Sequence, residues 1–149
     1  MLLGLAKMLD MRILSIPGVT GDVHNDYAAQ MHGAMLALRD QDLVVAHVEA
    51  PDEAGHDGSV DDKVRAIECI DTEMVSTLRA LGSRELRVLV APDHPTPIKV
   101  RTHVPEPVPF LLWGSGVQPN GAARFTECEA ARPGLFIDDG ADLMARFVS

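Results

Sequence analysis

The sequence predicts an α/β domain with a mostly parallel sheet and helices on both faces, and three observations predict it. Short apolar runs rich in β-branched residues recur at 12–16, 42–49, 86–90 and 108–113. Between them, over 27–38 and 61–81, apolar residues fall at helical spacing. That alternation is the pattern of βαβ units. Finally, clusters of Asp, Glu and His follow two of the runs directly, and open α/β sheets carry their sites beyond the carboxyl ends of the strands. The 149 residues amount to a single domain, 1–149, long enough to bury a core without covalent staples.

Arg12-Ile13-Leu14-Ser15-Ile16 is the first predicted strand, ended by Pro17-Gly18 and a loop through Thr20-Gly21. Gly18 and Gly21 read as a plain turn, because two isolated glycines do not make a phosphate cradle. Asn25 or Asp26 caps a helix carrying Met31, Met35 and Leu38 on one side. The run 42–49 is a second strand, and His47 within it reads as a structural group of the core or one that supports a ligand. The longest helical pattern spans 61–81. Ser59 is its N-cap, Asp61 and Asp62 lie in its first turn, Gly82 marks its end, and Val64, Ile67, Met74, Leu78 and Leu81 are the apolar face. Strands over 86–90 and 108–113 flank a proline-rich passage, 92–109, that cannot be regular helix. A short helix over 138–148 closes the domain.

Composition excludes several classes of function. A net charge of −9 argues against a nucleic-acid surface, which needs clustered Lys and Arg, and against an anionic membrane. No stretch approaches the ~20 apolar residues that span a bilayer. The opening Met1-Leu2-Leu3-Gly4-Leu5-Ala6-Lys7-Met8-Leu9 lacks the features of a signal peptide. Cys69 and Cys128 are the two cysteines, and they form no paired motif. Free thiols in a reducing compartment follow, with the cytoplasm as the expected location. His24 and His32 read as surface residues, and the methionines as packing.

Three segments carry the chemistry: Pro51-Asp52-Glu53-Ala54-Gly55-His56-Asp57-Gly58, Ala91-Pro92-Asp93-His94-Pro95-Thr96-Pro97 and Arg101-Thr102-His103. Any one His beside an Asp is an ordinary surface pair or helix cap. In combination, carboxylates and imidazoles suit Zn, Mn or Fe, and two clusters suit a dinuclear centre for phosphoryl chemistry. Glu49, Glu53 or Asp57 could orient a ligating ring by accepting its second N–H.

Those segments, together with Gly4-Leu5-Ala6-Lys7-Met8, Ile16-Pro17-Gly18-Val19-Thr20-Gly21, His47-Val48-Glu49 and Pro107-Val108-Pro109, resemble the C-terminal, metal-binding part of the cofactor-independent phosphoglycerate mutases. The archaeal type of that family, in the alkaline phosphatase superfamily, is the most similar. The resemblance covers nearly the whole chain. It implies an alkaline-phosphatase-like fold truncated at its N-terminus, so that 1–149 is a partial domain. It also implies two divalent ions, Mn or Zn, with Asp52, His56 and His103 holding one and Asp93 and His94 supplying two ligands of the other. Arg101 is placed to contact the phosphate of a phosphoglycerate. The family's serine nucleophile and a further ligating aspartate have no counterpart here, so no catalytic residue is assigned to this chain.

Three functions remain open on the sequence. The preferred one is part of a metal-dependent enzyme of glycolysis that interconverts 2- and 3-phosphoglycerate, inactive without the missing N-terminal half. A related phosphomonoester or phosphonate hydrolase uses the same ligand set. The third is a noncatalytic metal-binding or assembly domain. Apolar surface left uncovered by the missing half implies a tendency to homo-oligomerise.

Overall fold

The structure is a computed structural model that describes residues 2–82, 86–132 and 134–149. The chain divides into two units, Met1–Thr77 and Leu78–Ser149.

In the first unit, helix α1 (Leu2–Met8) precedes a stretch with turns at 17–18 and 23–24, and α2 (Tyr27–Ala37) follows it. Asp26 caps α2, its carboxylate accepting the Ala29 N–H at 2.8 Å, which satisfies one of the donors that every helix start leaves open. Helix α3 (Ala50–Asp57) and helix α4 (Val60–Cys69) are joined by a tight link at Gly58. Gly58 has φ +75°. The Gly58 N–H donates to the Gly55 carbonyl and the Ser59 N–H to the Ala54 carbonyl, the bond pair of a glycine-terminated helix. Ser59 then caps α4 by accepting the Asp62 N–H, while its hydroxyl donates to the Asp62 carboxylate at 2.7 Å. A π-helical stretch, Ile70–Val75, continues α4, and α5 (Ser76–Leu81) follows. The core of this unit is formed by Tyr27, Met31, Ala34 and Ala37 of α2, Ala50 and Ala54 of α3, Ala66 of α4 and Met74 of the π stretch. Small residues dominate, so the helices approach closely.

In the second unit, β1 (Arg87–Val90) and β2 (Leu111–Gly114) form an antiparallel pair with Arg87 opposite Gly114 and Val90 opposite Leu111. Gly114 closes the pair at φ +116°, where an added Cβ would collide with the Leu86 carbonyl. The Arg87 guanidinium donates to the carbonyls of Ser115 at 3.1 Å and Phe147 at 2.9 Å. It thereby ties β1 to the turn after β2 and to the end of α7 (Ala141–Val148). Between them lies α6 (Glu127–Ala130), capped by Thr126 and carrying Cys128. No described helix is long and apolar enough to cross a membrane.

Several sequence expectations are corrected. The two-stranded antiparallel sheet is the sheet found among the described residues, so the mostly parallel sheet is not realised in them. The runs at 12–16 and 42–49 form no strand, because no described backbone pairs with them in a ladder. Consequently His47 is exposed rather than in a core. The fourth strand begins at Leu111, since Pro107 and Pro109 lack the N–H a ladder requires. The long helix turns a partly different face inward: Met74 is buried as expected, but Ile67 is 52 % exposed, Val64 and Leu81 are also exposed, and Ala66 is buried in their place. The π stretch inserts one extra residue per turn and rotates the apolar stripe. The helix ends as predicted, with Gly82 at φ +76°.

Candidate metal centre

The first ligand-bearing segment is a helix, α3. Pro51 at its start, Asp52 and Glu53 in its first turn and Gly58 just past its end are helix signals at both termini. Residues four apart share a helix face. Asp52 and His56 therefore meet, with Asp52 Oδ2 and His56 Nε2 3.3 Å apart and both half-buried. Ala50, Ala54 and Gly55 are buried, and this anchors the helix so that the Asp52–His56 face is left available. Lys63, half-buried on α4, stands within electrostatic reach of Asp52. Burial holds its ammonium below the usual lysine range, and the negative charge of Asp52 pulls the other way. Glu49, at the entry to α3, lays its carboxylate against Gly21, where an added Cβ would come within 3.0 Å of it.

The second cluster lies on the proline-rich loop after β1. Asp93 Oδ2 is 3.4 Å from His94 Nε2, and Asp93 Oδ1 accepts the His94 backbone N–H at 3.1 Å. The loop then folds back: the Val100 and Arg101 N–H groups both donate to the Pro97 carbonyl, and the Val104 N–H to the Pro95 carbonyl. Arg101 sits at φ +57°, a left-handed conformation costly for a residue with a Cβ. This return brings His103 onto His94, with ring centroids 3.5 Å apart and the planes inclined by 27°. A ligand nitrogen of each lies within 4.8 Å of the other.

The donor separations can be tested against a metal ion. Bonds of ~2.0–2.2 Å in tetrahedral geometry place two donors about 3.3–3.5 Å apart. The Asp52–His56 and Asp93–His94 spacings fall on that figure, and the mixed carboxylate and imidazole set suits a divalent ion of intermediate softness. The residues present fit the group.

The expected neighbours Asp52 and His56, and Asp93 and His94, stand side by side; the sequence reading grouped His103 with Asp52 and His56 and did not foresee its stacking on His94, and it missed Thr96. This threonine is 4 % exposed and its hydroxyl lies 3.2 Å from His94 Nδ1. It orients the ring so that Nε2 faces Asp93. Its signal was the Asp-His-Pro-Thr-Pro string, in which two prolines stiffen the loop and hold Thr96 beside the His. Lys63 was also missed, because it looked like one charge on a solvated helix face.

Comparison with known proteins agrees with this chemistry. A family model described as the metalloenzyme superfamily matches residues 3–144. The chain belongs to that superfamily. It is similar to a 2,3-bisphosphoglycerate-independent phosphoglycerate mutase of Methanothrix thermoacetophila, at 40 % identity over 100 % of this chain and 39 % of that protein. A second similar protein, 2,3-bisphosphoglycerate-independent phosphoglycerate mutase 2 of Methanothermobacter thermautotrophicus, is 46 % identical over 83 % of this chain and 31 % of its own length. Among solved structures, the PH0037 protein from Pyrococcus horikoshii superposes with a TM-score of 0.84 at 31 % identity, over 88 % of this chain and 40 % of that one. The chain thus spans well under half the length of these relatives, and it shares the fold of the Pyrococcus horikoshii protein over 88 % of its own length.

Proposed function

We propose that this chain is the metal-binding part of a phosphoglycerate mutase that interconverts 2- and 3-phosphoglycerate and that it is inactive alone. The observation carrying this reading is the pair of donor spacings, 3.3 Å at Asp52–His56 and 3.4 Å at Asp93–His94, in a chain 40 % identical to a named mutase. Following the family resemblance, Asp52, His56 and His103 hold one divalent ion. Asp93 and His94 hold a second, with the remaining ligand and the serine nucleophile supplied by the portion outside this chain. The ions are Mn or Zn, and the location is the cytoplasm.

Bound divalent ions at such a centre supply charge screening and Lewis acidity to a phosphoryl group. The chain's own residues do the rest. Asp52 and Asp93 bring negative charge that lowers the net charge of the loaded centre. Thr96 fixes the tautomer of His94: with its hydroxyl accepting from Nδ1–H, Nε2 presents a lone pair. Arg101, exposed on the same loop as His103, offers a planar fork of N–H donors that suits a phosphate. Lys63 adds positive charge beside Asp52.

Calorimetric titration with Mn²⁺ and Zn²⁺ tests the centre. Saturable binding is expected in the chain and is lost in the Asp52→Ala/His56→Ala double variant. Binding that survives the double variant unchanged removes these residues from the ligand set. Combining the chain with the separately expressed remainder of its Methanothrix relative tests the reaction. Interconversion of the two phosphoglycerates supports the mutase, whereas release of inorganic phosphate without isomer formation assigns the related hydrolase.

A further inference from the structure

Helix α3 carries Asp52 in its first turn and His56 in its last, and what fixes the first turn is not local to it. With eight residues, α3 is shorter than the ~12–15 residues at which an isolated helix becomes even marginally stable in water. Its N-cap, Glu49, makes no side-chain capping bond. The Glu49 backbone is already helical, at φ −92° and ψ −23°, whereas a capping side chain works from the extended region. The two amides that close the turn, those of Asp52 and Glu53, both donate to the Glu49 carbonyl, at 2.9 and 3.1 Å. Residue 49 is therefore the anchor on which Asp52 depends. Among the described residues, 42–48 make no backbone–backbone hydrogen bond, so the chain reaches that anchor without a ladder or turn to hold it.

The hold comes from a buried asparagine in another segment. Asn25 and Gln30 are 6 % and 8 % exposed, and their side chains form one network. Asn25 Nδ2 donates to Gln30 Oε1 at 2.9 Å, and Gln30 Nε2 donates at 2.6 Å to the carbonyl of His47, two residues before Glu49. On its other side, Asn25 Oδ1 accepts the Thr20 N–H at 2.9 Å. That bond fixes the loop at Gly21, against which the Glu49 carboxylate lies. Both arms of one side chain thus end on residues 47–49. The neighbouring Asp26 caps α2, which leaves Asn25 for this task. A buried amide that uses both its donor and its acceptor stiffens what it touches, because breaking either bond leaves a buried polar group unpaired.

We infer that Asn25 and Gln30 are positioning residues of the metal centre: they hold the entry to α3 from outside, in place of a local cap, and so keep Asp52 in the first turn facing His56. The 3.3 Å spacing of Asp52 Oδ2 and His56 Nε2 spans one helical turn, and it exists only while that turn is wound. The inference rests on the reading of those two residues as ligands and extends it to side chains that touch no ion. Removing an outer partner of this kind changes metal affinity about 10–100-fold.

Gln30→Met removes the His47 arm with an unbranched side chain of similar length. Gly21→Ala disturbs the Glu49 arm at an exposed position, where the added Cβ would stand 3.0 Å from Glu49 Oε2. Residue-resolved amide exchange by NMR, without metal, reads the turn itself. In Gln30→Met the Asp52 and Glu53 amides should exchange ~10-fold faster, and Gly21→Ala should act on the same two amides. The Leu38 amide at the end of α2, the Ser59 amide at the far end of α3 and the Lys63 amide of α4 should keep their protection, which shows that the chain still folds. Calorimetry with Mn²⁺ should then give an affinity ~10-fold lower in Gln30→Met at unchanged stoichiometry. Unchanged exchange at Asp52 and Glu53 in both variants overturns the inference. Equal acceleration at the Leu38 and Lys63 amides in both variants overturns it too, by making the network a contributor to general stability. Faster exchange at the turn with an unaltered Mn²⁺ affinity removes the positioning role. A parent chain that takes up no Mn²⁺ while the exchange result stands leaves the hold on Asp52 in place and removes only the ligand reading.

Discussion

Two pairs of apolar runs in this chain have nearly the same composition and opposite fates. Arg87-Val88-Leu89-Val90 and Leu111-Leu112-Trp113-Gly114 pair along their whole length, whereas 12–16 and 42–49 join no ladder among the described residues. Strand propensity is equally high in both pairs. The difference lies in whether a complementary backbone is available, because a strand is stabilised by its ladder and cross-strand contacts and not by its own residues.

The comparison can be broken at several points. The largest effect is expected at Met74→Ala on the π stretch. Met74 is 6 % exposed, and truncation there should lower unfolding free energy by about 2–5 kcal/mol. Ile67→Ala on the exposed face of the same long helix should stay within about 0.5 kcal/mol. Chemical denaturation of the two variants measures both, and equal losses would reverse the assignment of the buried face. Next is the paired region. Gly114→Val forces a branched side chain into φ +116° against the Leu86 carbonyl and should destabilise by about 2–3 kcal/mol. The matching change in the unpaired region, Val45→Thr, should fall within about 0.5 kcal/mol in the chain alone. A large loss at Val45 would mean that the second stretch is held by contacts within the chain.

A smaller effect has the opposite sign. Tyr27 is 4 % exposed and its hydroxyl has no hydrogen-bond partner among the described residues, so Tyr27→Phe should raise stability by about 1 kcal/mol at neutral pH. Burial, reinforced by the negative charge of Cys69 and opposed by Arg65, raises the Tyr27 phenol above 10.0. Above pH 10 the unfolded chain loses this proton first and the folded chain keeps it. The contribution is therefore intact below pH 10 and is lost as pH rises through the folded value. Thermal melts from pH 8 to 11 should show a shallower alkaline loss for Tyr27→Phe than for the parent chain.

Much of the local structure was legible in the sequence. The caps at Asp26 and Ser59, the stop at Gly82, the closing helix and the proline-rich loop are set by interactions within a few residues. The pairing of Asp52 with His56 was also legible, since their spacing alone puts them on one helix face. Less legible was the inward face of the long helix. The π stretch that rotates it has no simple residue signature, and the tightest packing there uses Ala66 rather than a large apolar residue. Thr96 escaped for a related reason. A threonine between two prolines looks like a turn residue until the loop bends it against His94.

By itself the sequence determined the family, the pairing of Asp52 with His56 and the ends of the helices, because motif spacing, residues four apart on a helix and capping bonds are local properties. Only the tertiary structure decided which apolar runs become strands, which face of the long helix is buried and which ring lies on His94. Each of those outcomes depends on what backbone or side chain is brought alongside from elsewhere in the chain. The pattern of residues can invite such a neighbour but cannot supply it.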